Sequence, residues 1–82
     1  MMMSPGAYAK EHKNDSYKEL LQERDELLNE IREFEKDPGN TDAFMFPSPR
    51  DIYLFNLQYL EKLCGLIADK YLEEYGNFVG RD

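Results

Sequence analysis

The chain has 82 residues, a net charge of −7 and a single cysteine. One cysteine (Cys64) and one histidine (His12) allow neither an intrachain disulfide nor a closed structural zinc site, so no metal and no cofactor is expected. So short a chain buries a modest share of its surface, which leaves close packing or oligomerisation as its sources of stability, and its acidity disfavours nucleic acid and anionic membrane surfaces as partners.

Residues 1–14 contain Pro5, Gly6, Lys10, His12, Lys13 and Asn14 without sustained periodicity, and are expected to form a disordered N-terminal tail. The rest, 15–82, is expected to form one all-α domain built on a helical hairpin. His12, between Glu11 and Lys13, has no evident relay partner, which argues against a catalytic role.

The first hairpin helix is predicted over 16–36. Ser16-Tyr17-Lys18-Glu19 fits a capping box, in which Ser16 accepts from the Glu19 amide and Glu19 reaches back to the Ser16 amide. Tyr17, Leu20, Leu21, Leu27, Leu28, Ile31 and Phe34 fill an arc of about 140° on a helical wheel, opposite an acidic face of Glu23, Asp25, Glu26, Glu30 and Glu33. Asp37-Pro38-Gly39-Asn40 ends the helix with turn chemistry. A calcium loop is not expected there: counted from Asp37, the sixth residue is Asp42 instead of Gly and the twelfth is Ser48 instead of Glu.

The connection carries Phe44, Met45 and Phe46, which are too apolar for an idle loop and are candidates either to anchor a protein partner or to plug one end of the hairpin. The second helix is predicted over 49–75, with Ser48 as cap, Pro49 at the first position, Asp51 at the positive end of the dipole and Gly76 as terminator. Its apolar residues span about 220° of the wheel, far wider than the first helix can cover. No apolar run is free of charge long enough to span a bilayer, and the opening lacks the apolar centre of a secretion signal. With the lone thiol, this leads to an expectation of a cytoplasmic protein.

Folding the two helices antiparallel sets Phe34 near Ile52, Ile31 near Phe55, Leu27 near Tyr59 and Leu20 near Leu66. The face left over includes Tyr53, Leu57, Leu60, Cys64, Ile67 and Tyr71. A patch of that size is seldom tolerated on a monomer, and a two-fold dimer forming a four-helix bundle is the simplest closure. The competing closure is intramolecular, with the FMFP loop and Phe78-Val79 folded over the same face. Asn56 lies within the apolar arc, where it either bonds to its own copy across a dimer axis or reaches solvent or the loop backbone. Arg24 interrupts the stripe of the first helix; it is expected to lay its stem along the core and send its head to Glu61, with an anionic ligand or partner as the functional alternative. The tyrosines of the second helix suit a bundle margin with wet hydroxyls. Cys64, on an apolar face, is expected to be a buried, inert thiol.

No phosphate-binding loop, HExxH, GxSxG or paired-cysteine spacing is present in the sequence. The composition and pattern therefore fit a non-enzymatic oligomerisation or adaptor module. Two other readings are a helical-bundle enzyme or ligand binder with an interior site, and an acidic regulator that occupies a basic partner surface.

Overall fold

The computed structural model describes residues 3–39 and 48–76. Three helices carry them: α1 (Pro5–His12), α2 (Tyr17–Lys36) and α3 (Pro49–Tyr75). All are α-helices, and no strand occurs among the described residues. The expectation of two helices is therefore corrected to three, because the segment 1–14, expected as a disordered tail, contains α1. The FMFP connection and Phe78-Val79 lie outside the described residues.

Each helix begins on a serine whose hydroxyl accepts from an amide three residues on: Ser4 from Ala7, Ser16 from Glu19 and Ser48 from Asp51. Glu19 and Asp51 return the bond to the amides of Ser16 and Ser48, completing two capping boxes that satisfy otherwise unpaired helix-end donors. Pro5 and Pro49 both occupy the start of a helix, where the missing N–H costs nothing and the fixed φ suits helical geometry. Proline and glycine at 5 and 6 thus open α1 instead of breaking it.

The α2–α3 pair is antiparallel in the expected register. Phe34 stacks on Tyr53 with ring centroids 4.5 Å apart, and at the other end Tyr17 meets Tyr71 and Tyr75 at 5.8 and 6.0 Å. Leu20 and Leu63 are fully buried at the centre, with Leu27, Tyr59 and Tyr8 closing the core around them.

Helix α1 packs chiefly against α3. An eight-residue helix is too short to be stable alone, so its order must come from docking. Tyr8 supplies the anchor: it is buried, and its ring stacks on Tyr59 at 4.3 Å with an interplanar angle of 11°. A buried aromatic side chain of this kind is worth about 1.5–3 kcal/mol, and ring stacking adds about 0.5–1.5 kcal/mol. With α2 on one flank of α3 and α1 on the other, much of the wide apolar arc is accounted for within one chain.

Candidate interaction surface

Two features of the molecule carry chemistry or unmet surface. The first is a polar cluster where α1 docks. The Tyr8 hydroxyl donates to Glu23 Oε2 at 2.7 Å, and the Tyr59 hydroxyl donates to the Met3 carbonyl at 2.6 Å. His12 Nδ1 lies 2.7 Å from Asp15 Oδ2, while its Nε2 is 3.8 Å from Glu23 Oε2. Burial, followed by the bond to Glu23, holds the Tyr8 hydroxyl well above the ordinary tyrosine range, and burial raises Tyr59 as well. His12 is thus flanked by two carboxylates, contrary to the expectation that it lacks a relay. The bonds of this cluster run from α1 and the residues just before it to α2 and α3, and act as a clasp holding α1 in place.

The second feature is the outward side of α3. Arg50, Leu54, Leu57, Glu61, Cys64, Ala68, Tyr71 and Tyr75 are all exposed. They are spaced alternately by four and three residues, the repeat of a coiled-coil seam. Leu72 is half exposed at 49 % and Tyr75 at 55 %, and these two with Leu54, Leu57 and Tyr71 form an apolar strip along the helix. Small residues occupy its middle: a Cβ built on Gly65 meets nothing within 4 Å, so the backbone there is open to close approach.

The seven residues expected to mediate self-association divide into three groups. Leu57, Cys64 and Tyr71 are exposed on this strip. Leu60 and Ile67 are half-buried against the core, and Tyr53 is half-buried on Phe34, with its hydroxyl donating to Glu35 at 2.7 Å. That bond is the chief cause of the upward shift of the Tyr53 hydroxyl. Asn56 is buried inside the chain, where its Nδ2 donates to Glu30 Oε1 at 3.1 Å.

Cys64 is corrected from a buried to an exposed thiol, because α1 and α2 cover the adjacent sides of α3 and leave its side open. Arg24 sends its guanidinium to Asp25 at 3.1 Å, not to Glu61, since Glu61 lies on the solvent side of α3. Phe44, Met45 and Phe46 lie outside the described residues. Open surface hollows occur among the described residues. Met3, Ala7, Lys10 and Glu11 line one; Ser16, Lys18, Glu19, Leu21, Gln22 and Asp25 line another, and neither gathers convergent cations. No helix among the described residues is long and apolar enough to cross a membrane. Comparison with protein-family models, with curated proteins and with solved structures finds no match to this chain.

Proposed function

We propose that this chain is a non-enzymatic protein–protein interaction module that self-associates through the outward side of α3. The observation that carries this reading is the exposed row Leu54, Leu57, Tyr71, Leu72 and Tyr75, which remains after α1 and α2 have docked. Large apolar side chains left exposed along one face of a helix are characteristic of interaction sites. A two-fold pair would bury the same row on both copies.

The ligand-binding reading has weaker support. It needs cations turned into the bundle, and Arg24 is engaged by Asp25 at the surface. The acidic-regulator reading needs Glu23, Glu26, Glu30 and Glu33 on one open face. Glu23 and Glu30 are instead engaged by Tyr8 and Asn56, and Glu33 pairs with Lys36. An exposed thiol at Cys64 suits a reducing compartment, which supports a cytoplasmic setting.

Sedimentation velocity from micromolar to near-millimolar concentration tests the proposal. The expected result is a concentration-dependent shift from the monomer mass of 9.7 kDa toward twice that value. A mass that stays at 9.7 kDa over the whole range overturns it.

A further inference from the structure

Resting on that reading, we infer that the occupant of the α3 strip is a second copy of α3 running antiparallel, in the register that sets Leu57 against the partner's Ala68. In the same register Arg50 meets the partner's Tyr75, Leu54 meets the partner's Tyr71, and Glu61 meets the partner's Cys64. All eight seam positions are exposed in the single chain, so pairing needs no rearrangement of the fold.

Charge selects this direction. The last turn of α3 holds no basic residue and carries Glu73 and Glu74, so the negative end of its dipole is reinforced by carboxylates. Lys70 answers Glu73 at 3.2 Å. The first turn carries exposed Arg50, while its neighbour Asp51 is engaged by Ser48 in the capping box, which leaves Arg50 as the charge free to meet a partner. Antiparallel pairing lays Arg50 beside the partner's Glu74 and over an aromatic end in which Tyr71 and Tyr75 lie 5.1 Å apart, a setting for both ionic and cation–π attraction. Parallel pairing would instead stack arginine on arginine and dipole on aligned dipole, while the two Glu61 carboxylates come near one another in either direction.

Size agrees with charge. Leu57 faces the small Ala68, and the long Glu61 faces Cys64 with open Gly65 beside it. Leu60, half-buried at the margin of the seam, comes opposite the partner's Ile67, also half-buried, so both gain cover from pairing. A helix of this length spans about 40 Å, and a contact strip about 12 Å wide removes roughly 1,000 Å² in total. That lies at the small end of specific interfaces, which fits a reversible dimer with a dissociation constant on the order of micromolar.

Disulfide trapping tests direction and register in the full chain. L57C and A68C, which leave Arg50, Glu74, Tyr71 and Tyr75 in place, are each made in a Cys64→Ser background, with helical content checked by circular dichroism. Along one helix the two positions are about 17 Å apart. An equimolar mixture should form mixed covalent dimers at least tenfold faster than either variant alone. Rapid trapping of L57C with itself would overturn the antiparallel direction. A dimer by sedimentation that yields no mixed covalent species would overturn the seam while leaving self-association standing. A monomer throughout overturns both; if its native Cys64 is also slow toward a thiol reagent, the face is covered by the chain's own residues outside 48–76.

Discussion

The two sides of α3 are made from similar residues and do opposite things. On the inner side, Asn56, Tyr59 and Leu63 are buried, and the polar side chains bond within the same chain: Asn56 Nδ2 to Glu30, the Tyr59 hydroxyl to the Met3 carbonyl. On the outer side, Leu57, Tyr71 and Tyr75 are as apolar, yet face solvent. Apolar content alone therefore does not distinguish core from docking surface. What distinguishes them is whether polar groups among the apolar ones find bonds within the chain, since a buried polar group without a partner is expensive. Among the described residues no buried side-chain nitrogen or oxygen lacks a partner, so the inner side is complete as it stands.

The largest expected effect breaks this contrast directly. Leu63→Ala removes a side chain with no exposed surface and should cost about 2–5 kcal/mol, whereas Leu72→Ala on the outer side should change the monomer's stability by no more than about 0.5 kcal/mol. Urea denaturation under dilute, monomeric conditions measures both. Equal losses would mean that the outer side is already packed in solution. A smaller effect sharpens the contrast. Glu61→Leu replaces the one carboxylate of the seam and should tighten self-association by about tenfold, equivalent to ~1.4 kcal/mol, read by sedimentation equilibrium. Unchanged or weaker association would place Glu61 outside the contact.

The hairpin was legible because its signals are local and strong. The capping box of α2, the Ser48 cap and the proline at the start of α3, and the antiparallel register all follow from residue type and spacing. That register even names the partner of Asn56: the residue opposite it is Glu30. Helix α1 was illegible for a physical reason. Eight residues with one large apolar side chain give no periodicity, and the helix is held by a distant contact, Tyr8 on Tyr59, that no local pattern encodes. Its cap was nonetheless in view, for Ser4-Pro5 repeats the Ser48-Pro49 device that correctly located α3. The exposure of Cys64 depends on the same docking of α1. With α1 absent, the free face is placed around Leu60 and Ile67; with α1 docked beside Tyr59, those two half-bury and the open side rotates toward Leu57, Cys64 and Ala68.

The clasp at α1 supplies the smallest expected effect and the finest comparison, since it asks what the hydroxyl of Tyr8 adds to its ring. Tyr8→Phe keeps the stacking on Tyr59 and deletes the bond to Glu23, so it should cost about 1 kcal/mol, well below the loss from Tyr8→Ala. The pH dependence has a definite sign. Tyr8 and Tyr59 ionise at higher pH in the folded chain than the ordinary value of 10.0, so their contribution is complete below that value. Above it the unfolded chain releases these protons while the folded chain retains them, and stability falls as pH rises. Urea midpoints measured from about pH 9 to about pH 11 should decline for the native chain and decline less for Tyr8→Phe, which has one fewer retained proton to lose. Identical slopes would show that the Tyr8 hydroxyl is as accessible to base when folded as when unfolded, and that α1 does not hold it against Glu23.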